Sequence, residues 1–284
     1  MTTAVLLIDC PDRKGLVAAI ANFLGREYDV NILNADQHQD AALGLFFMRV
    51  EFQTDSPRCD EDQFTAVFSP IAAEMNMNWS ITFAQKQQKV AIFVSHYLHC
   101  LADLLHRHQT GELPCAISMI VSNHDAARPL ADFYNIPFHL TPVTPDTKQA
   151  VESQHLQLLA DNHIDLIVLA RYMQILSPGF VQAHPLRIIN VHHSFLPAFT
   201  GAKPYHAAFA RGVKLIGATS HYVTEELDEG PIIDQDVTRV SQADRLPDLI
   251  QKGRDLERLV LSRAVRWHLT QRILSYANKT VIFS

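Results

Sequence analysis

The sequence predicts an α/β chain in two parts, a small α+β unit followed by a larger unit on a mainly parallel sheet. Three observations carry this. Residues 1–84 alternate short apolar runs with two amphipathic helical patterns. A polar, unpatterned stretch follows, Gln85-Lys-Gln-Gln-Lys89, which predicts a linker at 85–89. From there, over 90–284, apolar strands alternate with helices, the order that lays strands side by side in parallel beneath a helical cover. A chain of 284 residues is long enough for about two cores.

In the first part the strand signals are Val5 to Ile8, Val30 to Leu33, Leu45 to Phe52 and Trp79 to Phe83, rich in β-branched and aromatic residues. Between them, Leu16, Ile20, Phe23 and Leu24 form one helical stripe, and Phe64, Val67, Phe68, Ile71 and Met75 form another. The order is β-α-β-β-α-β, a ferredoxin-like unit. Asp9-Cys-Pro-Asp12-Arg-Lys-Gly15 joins the first strand to the first helix, with a glycine that lets the backbone turn sharply. Asp9, Pro11, Gly15 and Leu16 match the loop and helix start of the ACT domain family, which this segment resembles over Thr2 to Ala84. The resemblance implies a site for a small regulatory ligand such as an amino acid at those four residues. A packing or dimerisation module without a ligand is the equal alternative, because fold alone does not name function.

In the second part, strands at Val90 to Val94, Cys115 to Val121, Ile164 to Ala170 and Arg187 to Val191 are separated by helices at Leu98 to His106, Ala126 to Tyr134 and Asp146 to Asn162. Leu215 to Val223 and Ile232 to Val240 are again strand-like, and Asp248 to Leu274 closes the chain as a long helical pattern.

Composition narrows the partners. The 24 basic and 30 acidic residues give a formal charge of -6, which works against nucleic acid or an anionic membrane surface and favours a small molecule. No leader pattern opens the chain, and its apolar runs fall short of the roughly 20 residues that cross a bilayer, so a cytoplasmic location is expected. Cys10, Cys59, Cys100 and Cys115 are scattered and read as reduced, buried thiols. Among the fifteen histidines, His96-Tyr-Leu-His99 and His106-Arg-His108 lack a cysteine or carboxylate at a ligand spacing, so no metal is expected.

Two segments carry the chemistry, Asn190-Val-His192-His193-Ser194-Phe195-Leu196-Pro197 and His221-Tyr222-Val223-Thr224-Glu225-Glu226-Leu227-Asp228-Glu229-Gly230-Pro231. Each follows an apolar run and ends in proline or glycine, which places its polar groups where a strand gives way to a loop. Open α/β sheets bind ligands there. On a strand, Asn190 and His192 project to the same side, so an amide and an imidazole share a cleft. The amide can donate to an oxygen that becomes negative as a carbonyl carbon turns tetrahedral, and the imidazole can donate or carry a proton. Asp228 can orient that ring or accept a proton from water. Singly, each residue also has a bland explanation as turn former, satisfied core group or solvated loop acid.

As a set, Asn-x-His-x-Ser-x-Leu-Pro and His-x-Val-Thr-x-Glu-Leu-Asp-x-Gly-Pro resemble the folate-dependent formyltransferase family, and the second part is expected to share its Rossmann-like fold. The resemblance implies that Asn190, His192 and Asp228 are catalytic. It also implies that Arg171, Tyr172, Met173 and Leu176, in Leu169-Ala-Arg-Tyr-Met-Gln-Ile-Leu-Ser-Pro, bind folate together with His221 and Gly230. For His193 three roles stay open, stacking on the folate, tuning His192 or filling the loop, with the passive one placed first. Val94-Ser-His-Tyr-Leu-His-Cys-Leu101 has no glycine to bring backbone N–H groups to the phosphate of a nucleotide acceptor. With the ACT-like part in front, the whole arrangement resembles the formyltetrahydrofolate deformylase family. Val121-Ser-Asn-His-Asp125, Gly217-Ala-Thr-Ser-His221 and the stretch from Phe195 to His206 are similar to that family's segments.

That resemblance implies hydrolysis of 10-formyltetrahydrofolate to formate and tetrahydrofolate. Water attacks, Asn190 and His192 hold the oxyanion, and Asp228 handles protons. No cofactor is expected beyond the folate substrate. The alternatives are a formyltransferase with another acceptor and a folate or amino-acid sensor without turnover. A homo-oligomer is expected from the sheet edges of the first part. Formate supply for purine synthesis and balance of the one-carbon pool both remain open as the purpose.

Overall fold

A computed structural model describes residues 2–56, 59–84, 87–197 and 204–283. Part of the expected linker, Gln85-Lys86, and the middle of the stretch from Phe195 to His206 lie outside the described residues. The chain forms two compact units. One reaches Gln87 and also takes in Gln271–Tyr276 and the segment from Thr280; the other comprises Gln88–Thr270 and Ala277–Lys279. The expected division kept all of 90–284 together, whereas the chain's last strands return to the first unit.

The first unit runs β1 (Thr2–Pro11), α1 (Leu16–Tyr28), β2 (Asn31–Asp40), β3 (Leu45–Thr54), α2 (Glu61–Glu74) and β4 (Asn78–Phe83). The strands form one antiparallel sheet in the order β2-β3-β1-β4. Side chains alternate across β1. Leu6, Ile8 and Cys10 face the core shared with Leu16, Ile20, Phe23, Leu24, Phe64 and Phe68. Val5 and Leu7 face a second cluster with Phe47, Val281 and Phe283. That second cluster explains why β1 reads as a nearly unbroken apolar run.

Several boundaries differ from expectation. β1 extends through Pro11, so Asp9 and Pro11 belong to a strand, and only the following residues form the loop. β2 continues to Asp40 because, as an edge strand, it tolerates the polar side chains that hid it in the sequence. Val67, placed on the helical stripe, is exposed. The closing helix ends at Leu269, with Gln271 in the left-handed region that stops helices. Residues expected to prolong it instead form the hairpin of β12 (Ile273–Tyr276) and β13 (Lys279–Ile282).

The second unit runs β5 (Gln88–Val94), α3 (His99–Gln109), β6 (Cys115–Ser122), α4 (Arg128–Phe133), β7 (Phe138–Leu140), α5 (Lys148–Asp161), β8 (Leu166–Ala170), α6 (Pro178–Gln182), β9 (Ile188–His192), α7 (Pro204–Arg211), β10 (Leu215–Tyr222), β11 (Ile232–Arg239) and α8 (Leu246–Leu269). Its sheet has the order β11-β10-β9-β8-β5-β6-β7. From β9 to β7 neighbouring strands are parallel, while β10 and β11 are antiparallel additions. β7 was missed because its three residues offer no periodicity. The chain builds outward from β5 through β6 to β7, then returns to lay β8 on the other side of β5. The carboxyl ends of β5 and β8 thus flank a topological switch point, where such sheets open a crevice.

Candidate active site

Strand register brings the amide and imidazoles together. β9 and β10 are antiparallel, with Asn190 opposite His221 and His192 opposite Thr219. Residues directly opposite on neighbouring strands share a face. Asn190 and His221 therefore meet, with Nδ2 3.2 Å from Nε2. His192, two residues along, is on the same face and 6% exposed.

Asp228 arrives from the connection between β10 and β11 with φ at +59°, a backbone shape that side-chain-bearing residues seldom adopt. Gly230 makes that path feasible, since a Cβ there would lie 1.8 Å from the Tyr222 carbonyl oxygen. Expected as a substrate contact, Gly230 does not line the cleft; it lets the loop fold against β10.

The Asp228 carboxylate lies between two imidazoles, 3.1 Å from His192 Nδ1 and 3.6 Å from His221 Nε2. Burial works to raise its pKa, but hydrogen bonding and charge from His192, and then from His221, outweigh that and hold it well below the usual carboxylate range. A carboxylate so held is a poor proton acceptor and a strong orienting group. His192 Nδ1 faces a carboxylate and so carries a hydrogen, which leaves Nε2 as the reactive nitrogen. That Nε2 atom is buried without a hydrogen-bond partner among the described residues. His221 Nδ1 faces the Tyr222 carbonyl at 2.9 Å and carries a hydrogen too. Nε2 of His221 stands between the Asn190 amide and Asp228, so when it carries a hydrogen it donates to the carboxylate and when it does not it accepts from the amide.

These groups stand in a cleft of about 310 Å³. Its lining brings together Asn190, His192, His221 and Asp228 with Arg171, Tyr172, Met173 and Leu176 of the β8 loop. Burial pushes the Tyr172 hydroxyl up to about 12, so it stays protonated. Met173 and Ile175 are exposed apolar groups beside the imidazoles, suited to cover a flat aromatic ligand.

Two supporting residues were not foreseen. Thr219 donates to the Ser194 carbonyl at 2.9 Å and accepts the Leu196 N–H at 3.1 Å, clamping the loop that leaves His192. Gln235 on β11 donates to both Thr219 and the Leu196 carbonyl. The available signal was spacing, since Thr219 stands two residues before His221 on one strand face. His193 is buried, with its ring 4.8 Å from that of His192 and 6.2 Å from that of Tyr205.

In the first unit the four expected regulatory residues divide. Leu16 is a core residue, 2% exposed. Gly15 caps α1 with φ at +93°. Pro11 is exposed at the end of β1, and Asp9 accepts a hydrogen bond from Asn78 at 2.9 Å. A concavity of about 470 Å³ lies at the other end of α1, lined by Arg26, Glu27, Asp29 and Asp55 among others. No helix among the described residues is long and apolar enough to cross a membrane.

Comparison with known proteins adds names to this geometry. Residues 88–265 match the family model described as Formyl transferase. The chain is 52% identical over 282 residues to a formyltetrahydrofolate deformylase of Synechocystis, covering 99% of each protein. It superposes with a TM-score of 0.96 on the crystal structure of a formyltetrahydrofolate deformylase from Pseudomonas syringae pv. tomato, at 48% identity over 100% of this chain and 95% of that one. The glycinamide ribonucleotide transformylase 1 of Symbiobacterium toebii matches with a TM-score of 0.66 and 27% identity, over 70% of this chain and 95% of that one.

Proposed function

Since this chain belongs to the formyltetrahydrofolate deformylase family, we propose that it hydrolyses 10-formyltetrahydrofolate to formate and tetrahydrofolate. The carrying observation is the buried Nε2 of His192, which has no hydrogen-bond partner among the described residues, with Nδ1 held by Asp228 and the Asn190 amide on the same face.

The formyl carbonyl lies beside Asn190 and His192. His192 Nε2 takes a proton from water as the water oxygen bonds to the formyl carbon, and Asp228 stabilises the imidazolium that forms. This assigns the proton to His192 rather than to Asp228, whose carboxylate is already engaged by His192 Nδ1 at 3.1 Å. The Asn190 amide donates to the oxyanion. As the C–N bond breaks, the imidazolium returns its proton to the folate nitrogen. The second water proton leaves with formic acid, which ionises in solvent. No cofactor enters beyond the folate itself. Incubating the protein with 10-formyltetrahydrofolate and no amine should release formate and tetrahydrofolate in equal amounts. Formate appearing only when an amine acceptor is supplied would establish a transferase instead.

For the first unit we favour an ACT-type module in assembly. β2 is the edge strand of its sheet among the described residues, and Ile32 and Leu33 on it are 38% and 48% exposed. Such edges pair with a second copy of themselves. Sedimentation should therefore show a homo-oligomer, and a monomer at micromolar concentration would remove this role. An amino-acid effector beside Asp9, Pro11 and the Gly15-Leu16 helix start and a cytoplasmic location extend the same proposal; stimulation or inhibition of turnover by added amino acids tests the former.

A further inference from the structure

α8 buries a carboxylate that the formyl chemistry does not use. Glu257 is 1% exposed, so its charge must be compensated by protein groups. Three surround it: His99 Nε2 at 2.7 Å, the Tyr205 hydroxyl donating at 2.6 Å, and Arg171 with Nε at 3.4 Å. Burial works to raise the Glu257 carboxyl, but the His99 hydrogen bond, the Arg171 charge and the Tyr205 hydrogen bond hold it below its usual range. The arrangement is built into the helix. A Cβ at Gly253, one turn before Glu257, would come within 2.2 Å of the Tyr205 ring, so only glycine lets that ring lie against α8 and reach the carboxylate.

Arg171 is the one of these three that also lines the cleft. Its backbone has φ at +63°, and its carbonyl accepts the Ser95 N–H at 3.3 Å, at the switch point between β5 and β8. Its side chain is 9% exposed; Nε is paired with Glu257 by charge at 3.4 Å without a hydrogen bond, and neither Nε nor Nη1 has a hydrogen-bond partner among the described residues. Buried guanidinium nitrogens ordinarily find acceptors, so an open one in a cleft wall calls for a ligand oxygen. His99, Cys100 and Glu257 could also be read as a cation site, since their ligand-type atoms lie within 4.8 Å of one another. The direct His99–Glu257 contact and the neighbouring guanidinium favour an internal ion-pair cluster instead.

We propose that Glu257 is a positioning residue for substrate binding: it holds the Nε side of Arg171, leaving Nη1 to donate to an oxygen of the bound folate. This rests on the folate reading above. Tyr205 and His99 keep Glu257 in place, and the effect of all three runs through Arg171.

The test measures the Kd of tetrahydrofolate, with kcat and KM, for Glu257→Gln, Tyr205→Phe, Arg171→Met and the two pairings with Arg171→Met. Glu257→Gln and Arg171→Met should each weaken tetrahydrofolate binding about ten-fold, with kcat much less affected. Tyr205→Phe keeps the ring over Gly253 and should weaken binding about three-fold. Each pairing should bind no worse than Arg171→Met alone, because coupled residues are not additive. Additive losses, or unchanged binding in folded Tyr205→Phe, would overturn the proposal. If Glu257→Gln does not fold, Tyr205→Phe carries the test. Wild-type formate release is read separately: its absence removes the hydrolase reading, whereas the coupling of Kd values still decides the role of Glu257.

Discussion

Asp228→Asn is expected to lower kcat about a thousand-fold or more while leaving tetrahydrofolate affinity within a few-fold of wild type. The substitution keeps the shape of the side chain but removes the charge between His192 Nδ1 and His221 Nε2. His192 is then free to take its other tautomer, which puts the hydrogen on Nε2 and removes the lone pair that accepts a proton from water. The imidazolium formed in the reaction also loses its counter-charge. Steady-state kinetics with direct binding of tetrahydrofolate check this. A loss below ten-fold would mean that His192 is oriented by something other than Asp228.

The same pair makes a pH-dependent contribution to stability. Asp228 titrates below its ordinary value when folded and near about 3.9 when unfolded, so the unfolded chain binds the proton more readily. The stabilisation is fully present above that unfolded value and is lost as pH falls through the folded one. The difference in Tm between wild type and Asp228→Asn should shrink as pH falls below about 4.

Asn190→Ala is expected to cost about a hundred-fold or more in kcat, with little change in KM. Its amide has one hydrogen directed at His221 Nε2 and a second available to an oxygen that becomes negative only as the carbon turns tetrahedral. Removing such a donor raises the transition state more than the ground state. His221 Nε2 lies 3.2 Å from that amide, so the proposed mechanism gives His221 a part in positioning the oxyanion donor. Single-turnover formate release separates the chemical step from product release, and near-normal turnover in Asn190→Ala would sink the oxyanion role.

Much of this site was legible in the sequence. Asn190 and His192 could be placed on one face of a strand because side chains alternate with period two, and a β-rich run ending in a proline-containing loop is a local signal. Asp228 was singled out within an acidic loop by the Gly230-Pro231 that follows it and by resemblance. The role proposed for it was not legible. Whether it accepts a proton or orients a ring depends on which imidazoles approach it, and those come from two different strands. Gly230 carries a requirement that the sequence did not show: it stands outside the cleft lining, and its lack of a Cβ gives backbone clearance against Tyr222. Thr219 and Gln235 went unnoticed because their partners are carbonyls and hydroxyls of distant residues, and sequence patterns record side-chain polarity but not the acceptor opposite.

The sequence by itself determined most of the element order, apart from β7 and the closing hairpin, most of the apolar faces, and the residue types suited to handling a carbonyl, because periodicity and turn chemistry act over a few neighbouring residues. Tertiary structure alone decided three things. It set the β9–β10 register that presses Asn190 onto His221, the αL backbone that carries Asp228 between two histidines, and the burial of Glu257 among His99, Tyr205 and Arg171. Each depends on groups many residues apart brought to about 3 Å, where hydrogen bonding and desolvation become strong enough to choose one proton state and one orientation.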